Sequence, residues 1–304
     1  MSEEKLKKIE SLVTFRCNCD CIFCSLGDNV QRTEEERHHG TKTTKQIMED
    51  VDLAKESGLE MISFSGGEPT IRKDIFRVAT YAKNSGFKTI QIQTNGRMFY
   101  YEDFCKKSIE SGINDYVISL HAHTAELHDK ITKTQGCFKE VVQGIKNLKK
   151  LEQRIRINTV INSLNYEILP ELTKFLISLD VNFISFIFIT VEGSAAQKPK
   201  LIPKMKDVIP YLKRSFDMCN ERNVQSFTYN IPLCLLDGYE KNYIELRQGD
   251  TKLLGPDFSI SLADNKERLK IKSPKCNRCK YNNDCFGVWK NYAEIHGLDE
   301  LKPV

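Results

Sequence analysis

Between residues 9 and 223 the hydrophobic pattern switches repeatedly between two periods. Six runs of six to eight residues, 9–15, 60–65, 88–94, 115–121, 154–161 and 183–190, carry β-branched and apolar side chains and little Gly or Pro, as buried parallel strands do. Longer stretches with helical spacing lie among them. In TTKQIMEDVDLAKESG, apolar Ile47, Val51 and Ala54 recur at intervals of four and three, and Gly58 stands where a helix end favours a residue without Cβ. DIFRVATYAKNSG repeats the device and stops at Gly86, and NYEILPELTKFLISLD and IPKMKDVIPYLKRSFDMCNER complete the set. Strands that alternate with helices are joined by right-handed crossovers, which lay the strands parallel. The predicted fold is α/β: a (β/α)6 partial barrel over residues 1–223, two units short of a closed (β/α)8 barrel and open on one side. From 224 to 304 the chain is turn-rich and reads as a small Cys-rich C-terminal domain ending in a helix, GVWKNYAEIHG.

Cysteine usage narrows the chemistry. There are eleven cysteines in 304 residues, an odd number, and seven of them crowd into two groups near the ends. The N-terminus, MSEEKLKKIESLV, lacks the apolar core of a secretion signal, and no stretch approaches the roughly 18 apolar residues of a membrane span. A cytoplasmic address follows, where thiols stay reduced, so metal ligation explains the groups better than disulfides. Net charge is +4 with both signs interleaved, which gives no basic stripe for nucleic acid. The basic run KPKLIPKMK, 198–206, reads as a solvated loop and helix start rather than a seat for an anionic substrate.

In FRCNCDCIFCSLGD, Cys17, Cys21 and Cys24 are spaced x3 and x2 at the C-terminal end of the first strand, where parallel α/β folds build their sites. Three soft thiolates on a short loop suit one face of an iron–sulfur cubane and leave one iron open to a small molecule. Structural zinc wants four protein ligands, and the nearest histidines, His38 and His39, begin fourteen residues beyond Cys24. In the second group Cys276, Cys279 and Cys285 need a fourth partner. Cys234 in IPLCLLDG is preferred to Cys219, which falls in a helical stretch; a cubane and a zinc knuckle both remain open for that set.

The cysteine loop with Phe23 before its last thiol, followed by SGGEPT at 65–70 and QTNG at 93–96, resembles the radical S-adenosylmethionine superfamily from residue 9 to about 223. The resemblance implies that Cys17, Cys21 and Cys24 hold a [4Fe–4S] cluster whose fourth iron chelates S-adenosylmethionine. Phe23 would lie beside the adenine, and Cys19 would be a bystander. Ser65, Gly66, Gly67 and Glu68 would bind the methionine amino group. The glycines let backbone approach a ligand closely, and Glu68 could accept from an ammonium. Thr94 and Asn95 would meet ribose or carboxylate, as would Ser119 and Asn158. The C-terminal segment resembles the auxiliary-cluster domains called SPASM and twitch, with Trp289 where the full SPASM pattern has a further cysteine. It thus implies one auxiliary [4Fe–4S] cluster, zinc being the rival.

The implied activity is reductive cleavage of S-adenosylmethionine to a 5′-deoxyadenosyl radical that takes a hydrogen atom from substrate, with flavodoxin or ferredoxin as electron donor. The expected substrate is a peptide or protein. The alternatives are a small molecule (a cofactor precursor, sugar or nucleoside) or, in a different class, a noncatalytic iron–sulfur or zinc protein. His121, His123, Cys137 and Glu192 are further inward candidates. Cys137 resembles the hydrogen-atom donors of some relatives but reads first as a structural thiol, and His121 reads first as a strand-end hydrogen-bond partner. No catalytic residue is named beyond the cofactor shell.

Overall fold

The structure, a computed structural model, describes residues 6–27, 40–245 and 250–304. His38 and His39 lie outside the described residues. All six expected strands form: β1 (Leu6–Thr14), β2 (Met61–Gly66), β3 (Thr89–Thr94), β4 (Asp115–Ser119), β5 (Ile155–Ile161) and β6 (Phe183–Phe188). Beyond residue 224 the sheet continues. β7 (Gln225–Tyr229) pairs in parallel with β6, β8 (Asp250–Leu254) pairs in parallel with β1, and β9 (Ser259–Ser261) runs antiparallel to β8. The order is β7-β6-β5-β4-β3-β2-β1-β8-β9, so β7 and β8 do not meet and the barrel stays open. The expected division at 224 marks a change of pattern that the sheet itself crosses. β7 and β8 escaped sequence reading because each has five residues and little apolar character.

Helices cover one face. α1 (Thr44–Glu56) opens on a reciprocal Thr43–Gln46 capping box and buries Ile47, Val51 and Ala54, the three residues its spacing singled out. α2 (Ile75–Asn84) ends before Gly86, whose φ is +84°. α3 (Glu102–Glu110), α4 (Ala125–Thr132) and α5 (Cys137–Lys150) fill connections where the sequence singled out no helix. α6 (Leu169–Ser178) begins four residues later than the pattern NYEILPELTKFLISLD suggests, because Pro170 fits only a first turn and Asn165 is engaged with Asn162 and Val160. α7 (Met205–Glu221) carries Pro210 within its length.

The two faces of the sheet differ. Ile62, Phe64, Ile90, Ile92, Tyr116, Ile118, Ile155 and Ile157 point toward the helices and are fully or almost fully buried. The alternate residues face the barrel interior, as a period of two requires. Many of them are polar and linked across five strands. Lys8 pairs with Glu10 at 3.0 Å, Ser65 Oγ donates to Glu10 at 2.7 Å, and Gln93 donates to Ser63 at 3.3 Å. Ser63 donates to Gln91 at 3.0 Å, Gln91 to Asp115 at 2.5 Å, and Arg156 to Asp115 at 2.8 Å. Closed barrels fill this space with Val, Ile and Leu. Here hydrogen-bonded polar groups share it with Leu12, Val117, Val160 and Ile187, around a cavity.

The remaining chain docks on the open end. α8 (Leu262–Leu269) leads into a two-stranded antiparallel ribbon of β10 (Lys270–Ile271) and β11 (Val288–Trp289), then α9 (Lys290–His296). Tyr292 of α9 packs edge-on to Phe188 at 5.6 Å and accepts from the Met205 N–H at 2.9 Å. Glu245, buried, accepts from the Asn230 N–H at 2.9 Å and Tyr243 at 2.8 Å, and pairs with the buried Lys270 at 3.4 Å. Desolvation makes such a pair costly to break from one side only, so it pins the ribbon to the end of β7.

Candidate active site and candidate metal centres

Cys17, Cys21 and Cys24 follow β1 and line a single cavity of about 410 Å³ at the C-terminal ends of the strands. Their loop is tied from several directions. The N–H groups of Asp20 and Ile22 donate to Thr132 and Ile131 at 3.1 and 3.0 Å, and the Ser194 N–H donates to the Cys24 carbonyl at 3.0 Å. Arg97 donates to the Asn18 carbonyl and Asn95 to the Asn18 side chain, both at 2.6 Å, while Arg97 also pairs with Glu140 at 2.5 Å. Burial pushes the Cys21 thiol well up, and the neighbouring Cys19 and Cys24 add to it. A bound cationic centre would reverse that balance and hold the thiolate.

β2 ends directly beneath this loop. Gly66 has φ +117°, and a Cβ there would stand 2.4 Å from the Thr14 carbonyl oxygen. A Cβ on Gly67 would stand 2.3 Å from that of Arg16. Only glycine permits the approach, and it lets the Gly67 and Glu68 N–H groups donate to those carbonyls at 2.6 and 2.8 Å. Ser65, Gly66 and Gly67 line the cavity with Phe23, Thr94, Asn95, Ser119 and Asn158; Ser119 and Asn158 are direct partners across β4 and β5.

Glu68 departs from the expected ligand contact. It is wholly buried and does not line the cavity, and its carboxylate accepts from the Thr70 N–H at 2.9 Å, Thr94 Oγ1 at 2.7 Å and the Asn95 N–H at 2.6 Å. Burial raises its pKa while these donors oppose the shift. Its place in the structure is to fix the end of β3, and with it Thr94 and Asn95, against the glycine turn.

The other candidates separate. His121 and His128 line the cavity with stacked rings 5.6 Å apart. His121 Nδ1 accepts from the Val160 N–H at 3.3 Å, and Phe23 meets its ring edge-on at 4.8 Å. His128 Nδ1 accepts from the His121 N–H at 3.2 Å, so its proton sits on Nε2, which faces Cys137 Sγ at 3.5 Å. Burial holds both imidazoles neutral, His128 with a pKa lowered to about 4. Cys19 is buried among them, its sulfur 3.9 Å from that of Cys137. His123 and Glu192 do not line the cavity; Thr190 and Ile187 occupy that wall.

The second cysteine group closes on itself. Cys234, in the 3₁₀ turn Leu233–Leu235, and Cys276, Cys279 and Cys285 line one small space of about 20 Å³. The Cys234 thiol is pushed up to about 11, by burial first and then by Cys285, Cys276 and Cys279. Cys219 is buried within α7 and does not line that space. Among the described residues, no three Cys, His, Asp or Glu side chains converge on a single ion. Each set instead lines a space, and soft thiolates serve iron–sulfur groups and zinc alike.

Several lining or supporting residues went unread in the sequence: Glu10, Gln93, Asn18, Arg97 and His128. Period-two alternation in KIESL and QIQT carried the signal for Glu10 and Gln93. Arg97 and His128 carried none, since their roles depend on contacts far apart in sequence.

The family model described as the Radical SAM superfamily matches residues 11–176. A probable GTP 3′,8-cyclase of Saccharolobus islandicus is 27% identical over 214 residues, 69% of this chain and 65% of that protein. An AdoMet-dependent heme synthase of Methanosarcina barkeri is 26% identical over 216 residues, 70% of this chain and 58% of that protein. The match thus spans less than two thirds of these relatives' own lengths. In fold, the chain is similar to Streptococcus suis SuiB bound to precursor peptide SuiA, with a TM-score of 0.71 and 17% identity over 99% of this chain and 75% of that one.

Proposed function

The chain belongs to the radical SAM superfamily, and from that premise we propose that it modifies a peptide or protein, with Cys17, Cys21 and Cys24 as the ligands of its [4Fe–4S] cluster. When bound, that cluster supplies an electron to S-adenosylmethionine, releasing methionine and a 5′-deoxyadenosyl radical. The protein's own residues orient and shield. The backbone of Gly66 and Gly67, with Ser65, receives the methionine end, and Thr94, Asn95, Ser119 and Asn158 receive hydroxyl or carboxylate groups. Phe23, braced by His121, offers an apolar edge for the adenine. Glu68 acts through Thr94 and Asn95 as a positioning residue. The neutral imidazoles and buried thiols behind the loop exclude water from it.

Cys234, Cys276, Cys279 and Cys285 would hold an auxiliary [4Fe–4S] cluster in a twitch-like domain spanning 224–304, saturated by four thiolates and suited to electron transfer or structure. A flavodoxin or ferredoxin would supply electrons. No helix among the described residues is long and apolar enough to cross a membrane.

The observation that carries the proposal is one cavity lined by three thiols of the x3–x2 spacing together with the glycine turn and the ends of β3, β4 and β5. Likeness to a peptide-bound fold over nearly the whole chain favours the peptide reading. The sequence likeness to a GTP cyclase and a heme synthase favours a small-molecule substrate as the second reading. Anaerobic reconstitution, reduction with dithionite and incubation with S-adenosylmethionine and peptides encoded beside the gene tests both. 5′-Deoxyadenosine with a mass change in a peptide is expected. 5′-Deoxyadenosine raised by GTP or a porphyrin and by no peptide favours the second reading, and no 5′-deoxyadenosine refutes both.

A further inference from the structure

The cavity has two ends. The thiols and the glycine turn form its mouth, while Glu10 lies on β1 four residues below Thr14, roughly 13 Å down a strand. Lys8, its ion-pair partner at 3.0 Å, does not line the cavity, so the carboxylate faces the space and the ammonium stands behind it. Ser65 takes one side of Oε1 at 2.7 Å, and Lys8 contacts Oε2. Gln93 bonds the carboxylate as well, so of its roughly four acceptor sites about one is left for a ligand. Between mouth and floor, Leu12, Val117, Ile187 and Leu253 give apolar stretches of wall among the uncharged polar side chains of Gln93, Ser119 and Asn158. Among the described lining residues Glu10 is the one carboxylate, and there is no Lys or Arg.

A shaft with apolar stretches, no charged wall residue and a single carboxylate at its floor suits an aliphatic stem with a cationic head, which buries its methylenes and pairs its charge. A phosphate or carboxylate lowered to the same depth would meet Glu10 instead. Resting on the radical SAM reading above, we infer that the substrate presents an alkyl amine or alkyl guanidine to this enzyme, and that Glu10 anchors it. The reacting carbon then lies along the stem, between floor and mouth.

The test uses reconstituted holoenzyme with S-adenosylmethionine and titration calorimetry. Probes are Nα-acetyl-lysine methylamide and agmatine, against Nα-acetyl-norleucine methylamide, glutarate and GTP. The two cationic probes should bind at least tenfold more tightly than the norleucine analogue, Glu10→Gln should erase that preference, and Lys8→Met should strengthen it. Should Glu10→Gln fail to fold, the wild-type ranking and Lys8→Met still decide. Equal binding of the lysine and norleucine probes, tighter binding of GTP or glutarate, or no change in Lys8→Met would overturn the inference. If S-adenosylmethionine leaves the cluster's EPR spectrum unmoved before any probe is added, it is the superfamily chemistry that has failed.

Discussion

The two cysteine groups differ in what surrounds them. The N-terminal three stand at the mouth of a cavity of about 410 Å³ with strand ends converging on it, whereas the C-terminal four enclose about 20 Å³. An open set leaves a coordination site for chemistry, and a closed set spends every ligand on holding its group. In the proposed function the same residue type would serve two ends, and the enclosed volume rather than the thiols themselves would set which.

Breaking the open set should have the largest effect. Cys17→Ala, Cys21→Ala or Cys24→Ala should lower 5′-deoxyadenosine formation by about a hundredfold or more and remove about four irons per chain, leaving the second group loaded. Anaerobic iron analysis beside the product assay checks this. Breaking the closed set should leave the mouth intact: Cys234→Ala should also lose about four irons and lower the melting temperature by about 5 °C, while the EPR change on adding S-adenosylmethionine persists. Zinc in place of that iron would make the second site a zinc knuckle.

A smaller change sharpens the role of close packing at the mouth. Gly67→Ala puts a Cβ against the Arg16 carbonyl, which would stand 2.3 Å away. Unfolding free energy should fall by about 2 kcal/mol and S-adenosylmethionine affinity by about tenfold, read by denaturant titration and calorimetry.

The effect that vanishes at neutral pH is the pH dependence through His128. His128 titrates near 6.5 when unfolded and near 4 when folded, because burial disfavours its charge. The unfolded chain therefore takes up the proton first as pH falls. The stability linked to His128 is present above 6.5 and drains away toward 4, by at most about 3 kcal/mol. Urea unfolding across that window should show a shallower pH dependence in His128→Gln than in the wild type.

Much of this was legible in sequence, and the reasons differ by element. β1 to β6 announced themselves because their outward residues are apolar, and α1 because its cap and spacing agree. The cysteine loop and glycine turn are local motifs, so their meeting at one cavity followed from strand order. The polar interior was harder to read: Lys8, Glu10, Gln91, Gln93, Asp115 and Arg156 satisfy one another across strands, which no single segment reveals. The internal bonds of Glu68 were hidden for the same reason. Its carboxylate looks available in SGGEPT, but Thr70, Thr94 and Asn95 consume it. β7 was hidden by its position at the edge, where pairing rather than hydrophobicity makes the strand, and β8, between β1 and β9, by its short and half-polar sequence.

The most direct measurement is the EPR spectrum of anaerobic, dithionite-reduced protein before and after addition of S-adenosylmethionine labelled with ¹⁷O in its carboxylate. Altered g values with hyperfine coupling to the label are predicted, since three thiolates at the mouth would leave one iron of the proposed cluster without a protein ligand. A spectrum that does not change, in protein carrying its full iron, would mean that the mouth is as closed as the quartet and would contradict the account.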